Sequence, residues 1–195
     1  MDEKLAALLR ELESFGEEND ARVTDHKTRM LNITPETGAF IALLVRALKA
    51  RRILEIGTSN GYSTLWLAYA VQQLGGQVVT VDRSTYKVDL ARRNFERAGL
   101  SSSITSHLIE AGRFYEEQSN SSYEFIFLDS DRGEYVGWWP SLRRILVAGG
   151  LLVVDNAVSH ENELRAFVEL VRATTGYMTS LVPVGKGELV ILKEF

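Results

Sequence analysis

Residues 53–63, Ile-Leu-Glu-Ile-Gly-Thr-Ser-Asn-Gly-Tyr-Ser, restrict the folds open to this chain more than any other stretch. An apolar strand ends in a carboxylate, Glu55, then passes two glycines, Gly57 and Gly61, into a helix-like segment. A glycine turn between a strand and a helix lets a ligand approach the backbone at the helix N-terminus, where free N–H groups gather. In α/β proteins nucleotides occupy such crevices, beyond the C-terminal ends of the strands. The spacing here is Gly-x-x-x-Gly. The Gly-x-Gly-x-x-Gly of a dinucleotide site needs glycine at 59, where this chain has Ser59. An ordinary strand–turn–helix with Glu55 in solvent remains open at this point.

The rest of the chain supplies a matching frame. Leu5, Leu8, Leu9, Leu12 and Phe15 recur at helical spacing, which predicts an amphipathic helix over 3–16, followed by an irregular polar lead-in over 17–33. Thr34-Pro35 reads as an N-cap with proline at the first helical position, opening a helix to about Lys49. Apolar runs at 52–56, 77–82, 104–109, 124–129 and 150–155 then alternate with helical segments at 61–74, 84–98, 111–117, 140–147 and 159–174. Pro140 is read as the start of its helix. Such alternation implies a parallel sheet covered on both faces. Two β-like runs, 178–184 and 187–193, flank Gly185 and Gly187 as a hairpin, so the last strand should run antiparallel. The expectation is an α/β Rossmann-like fold, with a mostly parallel seven-stranded sheet and an antiparallel C-terminal strand, as one domain over 1–195.

Composition narrows the function classes. With 45% hydrophobic and 25% charged residues, the chain reads as a soluble globular protein. The net charge of −4 and the lack of a long basic run argue against a nucleic-acid face. Zero cysteines exclude disulfides and thiolate metal sites, which fits a cytoplasmic location. Residues 1–18 are charged and periodic, unlike a signal peptide, and no apolar stretch reaches membrane-spanning length.

Glu55 bears on which ligand would suit the turn. A pyrophosphate would meet a nearby negative charge, whereas S-adenosylmethionine brings an ammonium and a sulfonium. Asp82 ends the second strand, 25 positions after Gly57, where a carboxylate can accept hydrogen bonds from both ribose hydroxyls of an adenosine. It can equally cap the following helix, with Ser84 its rival for that task. Asp129, Asp131, Asp155 and Asn156 form a second constellation. Asp129 follows Phe-Ile-Phe-Leu and Asp155 follows Leu-Leu-Val-Val, so both fall on the strand edge that carries Gly57. Two carboxylates and an amide oxygen there make a hard site suited to Mg²⁺ or Ca²⁺. Taken alone, Asp-Asn at a strand end is a common turn.

Five motifs in order, ITPETGAF (33–40), LEIGTSNGYST (54–64), VVTVDRS (78–84), FIFLDSDRGEY (125–135) and GGLLVVDNAVSH (149–160), carry a family resemblance. Over about 28–193 the chain resembles the class I S-adenosylmethionine-dependent O-methyltransferases of the catechol and caffeoyl-CoA type, O-methyltransferase family 3. The resemblance implies that Glu55, Gly57 and Gly61 line the cofactor, with Ser59, Arg83, Ala111, Gly112 and Asp129 contributing. It implies that Ser63 and the segment near Met30 hold the methionine end, and Asp82 the ribose. It implies that Asp129, Asp155 and Asn156 hold a divalent metal, usually Mg²⁺. That metal would take two vicinal hydroxyls of a small catechol-like acceptor and lower the pKa of one.

One departure stands out. Catechol-type members carry a lysine, the proposed general base, three residues after the first metal aspartate, and here that residue is Arg132. Arginine stays protonated and cannot take a proton. His160, five residues past Asp155, is the alternative base, against a plain role at a helix N-terminus. Arg132 is then a candidate for gripping an anionic acceptor. Tyr135, Trp138 and Trp139 read as an acceptor wall or as core; His26 and His107 carry no signal. The N-terminal part is short where the family builds substrate and homodimer contacts. A metal-independent methyltransferase, a non-catalytic binder of S-adenosylmethionine and, less favoured, an NAD-dependent oxidoreductase remain as other readings.

Overall fold

The computed structural model describes residues 1–25 and 28–195; His26 lies outside them. Among the described residues seven α-helices and seven strands alternate through most of the chain: α1 (Glu3–Arg22), α2 (Pro35–Leu48), β1 (Arg52–Ile56), α3 (Tyr62–Gln72), β2 (Gln77–Asp82), α4 (Thr85–Ala98), β3 (Ile104–Leu108), α5 (Ala111–Glu116), β4 (Tyr123–Leu128), α6 (Tyr135–Ile145), β5 (Leu146–Val154), α7 (Glu161–Ala173), β6 (Tyr177–Val182) and β7 (Glu188–Lys193). They build one sheet of order β3-β2-β1-β4-β5-β7-β6. Strands β1 to β5 pair in parallel, and β7 runs antiparallel to both β5 and β6. This is the expected Rossmann-like arrangement.

The two-residue period of the strands divides the core into two layers. Ile53, Val78, Phe125, Phe127 and Val153 face helices α1, α2 and α3 and the inner side of α4. Leu54, Ile56, Val81, Ile126, Leu128, Leu152 and Val154 face α5, α6 and α7. Both faces are covered, so the strands read as nearly unbroken apolar runs. Among the described residues no helix is long and apolar enough to cross a membrane.

Two helices differ from the sequence expectation. Helix α1 continues six residues past 16, through a polar stretch of low apolar periodicity. Tertiary bonds hold that extension. The Asp20 carboxylate accepts from the Met30 and Leu31 amides at 2.7 and 2.8 Å. Helix α6 starts at Tyr135, with Pro140 inside it. Burial of Tyr135, Trp139 and Leu142 on one stripe recruits the turn before the proline. Pro140 and Val136, whose carbonyl lacks its helical donor, both lie on the exposed side.

The tightest backbone approach is at the first turn. Gly57 has φ +107°, and a Cβ there would stand 1.9 Å from the Asp129 carbonyl oxygen. Gly99, with φ +70°, has nothing within 4 Å of the same built atom. Gly57→Ala should therefore lose more than about 3 kcal/mol in urea unfolding, through clash added to backbone strain. Gly99→Ala should lose about 1–2 kcal/mol, the left-handed penalty alone. Equal losses would show that the close β1–β4 approach is not what constrains this turn.

Candidate active site

The site is a single row across the sheet. The ladder pairs Ile56 with Val81 and with Leu128, Leu128 with Val154, and Val154 with Leu189. One residue further on, Asp82, Gly57, Asp129, Asp155 and Glu188 therefore stand side by side. Backbone bonds carry the row past the strand ends: Gly57 N to Val81 O at 2.9 Å, Asp129 N to Ile56 O at 3.0 Å and Asp155 N to Leu128 O at 3.2 Å.

The row opens onto a cleft of about 1170 Å³. Met30, Gly57, Ser59, Asp82, Arg83, Ala111, Gly112 and Asp129, which the family resemblance names for the cofactor, line it together with Arg132 and Trp138. Asp82 is oriented before any ligand arrives: Oδ2 accepts from Ser59 N at 3.0 Å and Oδ1 from Ser84 N at 2.9 Å. Ser84 is the N-cap of α4 in its own right, so that task does not fall to Asp82. Ser59 Oγ donates to the Met30 carbonyl at 2.6 Å and ties the lead-in to the glycine turn. Ser63 borders a small adjoining recess with Met30, Gly57 and Asn60. The buried Asn60 Nδ2 there has no hydrogen-bond partner. Arg83 stands at the mouth, 4.0 Å from Glu110 and 3.9 Å from Asp131, in exposed pairs worth little.

Glu55 and Gly61 do not line the cleft. Glu55 is completely buried behind the turn. Its Oε1 accepts from Ser63 Oγ at 2.6 Å, and Oε2 accepts from Thr80 Oγ1 at 2.6 Å and from Thr64. Alternation along β1 explains the correction: Glu55 lies one residue short of the last strand position and points into the layer below α3. It joins β1, β2 and the start of α3. Burial raises its pKa to about 7, against the opposing pull of the three hydroxyl donors. Gly61, at φ +86°, begins α3, and a Cβ there would meet Phe95 of α4 at 2.5 Å. Its role is helix packing.

Beyond Gly57 the row becomes acidic. Burial, then the charge of Asp155, then that of Glu55 push the Asp129 carboxyl well above its usual range, while Arg132 and Lys186 pull it down. Asp155 and Asn156 are buried, and Asn156 adopts φ +66°. The Asn156 amide nitrogen donates to Asp155 Oδ2, and its oxygen accepts from Ser159 Oγ at 3.2 Å. Among the described residues no three His, Cys, Asp or Glu side chains already enclose an ion-sized point. The expected set is of another kind, two carboxylates and an amide. Its oxygen-only chemistry and its concentration of negative charge fit a divalent cation.

Arg132 begins a 3₁₀ turn after Asp131, and its Nε donates to Glu163 Oε2 at 2.7 Å. His160 is the N-cap residue of α7, its Nδ1 2.9 Å from Ser159 Oγ, and it is not among the residues lining the cleft. Trp139 belongs to the core, whereas Trp138 reaches the cleft wall. Sequence reasoning passed over Glu188 altogether. The available signal was a carboxylate at the head of an apolar strand, directly after Gly187.

The Glu55 assignment has a pH signature. Its folded pKa of about 7 exceeds the ordinary value of 4.5, so the folded state binds the extra proton. Its stabilising contribution is full below about pH 4.5, falls through about pH 7 and is constant above. Relative to Glu55→Gln, the wild type should lose up to about 3 kcal/mol across that window. Thermal melts of both proteins between pH 4.5 and 8 check this, and parallel curves would contradict it.

Comparison with known proteins extends the picture. Residues 7–172 match the family model described as O-methyltransferase. The chain is 31% identical over 131 residues to a catechol O-methyltransferase of Niastella koreensis, covering 66% of this chain and 59% of that protein. It is 32% identical over 126 residues to a catechol O-methyltransferase of Mycobacterium tuberculosis, covering 65% and 57% respectively. The matched part thus spans less than two-thirds of these relatives' own length. Among solved structures, an O-methyltransferase of Bacillus cereus in complex with S-adenosylhomocysteine superposes with a TM-score of 0.80 at 26% identity, over 96% of this chain and 91% of that one. With the family match running from α1 into α7 and the same sheet beneath it, the chain belongs to the O-methyltransferase family.

Proposed function

We propose that this protein is an S-adenosylmethionine-dependent O-methyltransferase that uses a divalent metal, Mg²⁺ by preference, and acts on a small acceptor bearing vicinal hydroxyls. The observation that carries the reading is the row Asp82–Gly57–Asp129–Asp155. It sets a ribose-type carboxylate and a cation-type carboxylate pair on opposite sides of one glycine, along one cleft. The relatives named above support the chemistry, and the structure bound to S-adenosylhomocysteine supports the donor.

Each residue then has a physical task. Asp82 is held by two backbone amides and accepts from the ribose hydroxyls without first reorganising. Gly57 lets the donor lie against the backbone. Asn60 and Ser63, at the small recess beside Met30, would offer hydrogen bonds to the polar methionine end. Asp129, Asp155 and Asn156 would hold the cation, the Asn156 amide oxygen giving up its bond from Ser159 to do so. When bound, the cation acts as a Lewis acid that favours the ionised acceptor hydroxyl. The acceptor oxygen forms its bond to the methyl carbon as the carbon–sulfur bond breaks in line, and the thioether leaves as S-adenosylhomocysteine. Positioning supplies much of the rate. The displaced proton goes to solvent, because Arg132 cannot accept it and His160 does not line the cleft. Held by Glu163, Arg132 remains at the cleft wall as a fixed positive charge on the acceptor side.

Two variants test the halves of the site separately. Asp82→Ala should weaken S-adenosylhomocysteine binding by about 1–3 kcal/mol in calorimetry, the penalty for losing a charged hydrogen-bond partner. Unchanged affinity would remove Asp82 from the donor site. Asp155→Ala should abolish Mg²⁺-dependent methylation of a catechol while sparing S-adenosylhomocysteine binding. Full activity of that variant in excess chelator would move the reading to a metal-independent transferase.

A further inference from the structure

Glu188 is the one member of the row without an assigned task. It opens β7, and the antiparallel register that pairs Val154 with Leu189 sets Glu188 directly across from Asp155. Directly opposed residues of an antiparallel pair project from the same face. Asp129 faces Asp155 from the other side through the parallel β4–β5 ladder. Three carboxylates thus share one edge, with Asp155 in the middle.

The surroundings of Glu188 are those of a group awaiting a partner. The residue has 0% exposure. Its Oε1 accepts from the equally buried Thr37 Oγ1 at 2.9 Å, which anchors the carboxyl to α2. Its Oε2 is buried with no hydrogen-bond partner, while the carboxyl lies within hydrogen-bond reach of Asp155. A buried carboxylate oxygen facing another carboxylate is expensive unless something positive lies between them. Packing makes the placement obligatory. Gly187 approaches Val158 so closely that a Cβ would stand 2.3 Å from its Cγ2, and Ala157 N bonds to the Gly187 carbonyl at 2.7 Å. The turn before β7 is therefore locked onto the segment that carries Asp155 and Asn156.

We propose that Glu188 is a fourth protein donor of the cation site, its free Oε2 ligating the ion held by Asp129, Asp155 and Asn156. As the side chains stand, no three of these carboxyls enclose an ion-sized point, so binding would require them to rotate onto one and to give up the hydrogen bond between Glu188 and Asp155. Of roughly six oxygen positions around such an ion, four protein donors would leave two, the number a vicinal diol needs. The inference rests on the metal reading above, and the test separates the two.

Mn²⁺ is the probe. Its affinity is measured by electron paramagnetic resonance, and the number of bound waters by line broadening in ¹⁷O-enriched water, for wild type, Glu188→Leu and Glu188→Gln. S-adenosylhomocysteine binding by calorimetry reports an intact fold, and the Gln variant carries the test if the Leu variant fails that control. Glu188→Leu should bind Mn²⁺ at least about tenfold more weakly and gain about one inner-sphere water, with Glu188→Gln intermediate. Undiminished Mn²⁺ affinity in both variants would overturn the role of Glu188 and leave the metal reading standing. So would weaker binding with an unchanged water count, which would place the carboxylate outside the inner sphere. A wild-type protein that binds no Mn²⁺ would overturn both.

Discussion

Strands that end in step are the constraint on which the rest of the molecule depends. Parallel pairing fixes the relative height of β2, β1, β4 and β5, so their last residues meet at one level. Side-chain alternation then decides which residues look into the core and which look out over the edge. A slip of one residue in any pair would exchange apolar for polar positions on both faces, and the two packed layers forbid it. The position of Asp82, Asp129 and Asp155 is thus a by-product of how Ile56, Val81, Leu128 and Val154 pack.

The same edge concentrates negative charge. Asp129, Asp155 and Glu188 stand together there, with Glu55 one level below, and the nearby cations are Arg132, which is shared with Glu163, and Lys186. Such an arrangement opposes folding unless protons or a cation neutralise it. Glu55 shows one resolution. Three hydroxyls surround it, and it serves as a structural joint between β1, β2 and α3. Glu188 shows another kind of environment, with one oxygen anchored by Thr37 and the carboxyl facing another acid, Asp155. Acids of similar burial therefore differ in what their neighbours leave unsatisfied, and that difference separates a joint from a candidate ligand.

Peripheral elements serve the same row from a distance. Asp20, in the part of α1 beyond the apolar stripe, fixes the Met30 and Leu31 amides, and Met30 in turn receives the Ser59 hydroxyl. The lead-in that looked irregular in sequence is a strap across one end of the cleft. On the opposite side, the turn through Gly185 and Gly187 packs on the 156–159 segment and presents Glu188.

The sequence by itself determined the order and type of the elements, because apolar runs with period two and stripes with period 3.6 are properties of local spacing. It also placed Gly57, Asp82, Asp129 and Asp155 at strand ends, since each directly follows or closes an apolar run. Only the tertiary structure decided the rest. Pro140 lies inside α6 because burial of Tyr135 and Trp139 outweighs a local boundary signal. Glu55 turns away from the cleft because a one-residue difference in strand height reverses its direction. Glu188 joins Asp155 because β7 returns antiparallel beside β5, a contact between residues 33 positions apart in the chain. Local spacing specifies which face a residue takes within its own element. Which residue of another element it meets depends on register across the sheet, and the packing of the whole core sets that register.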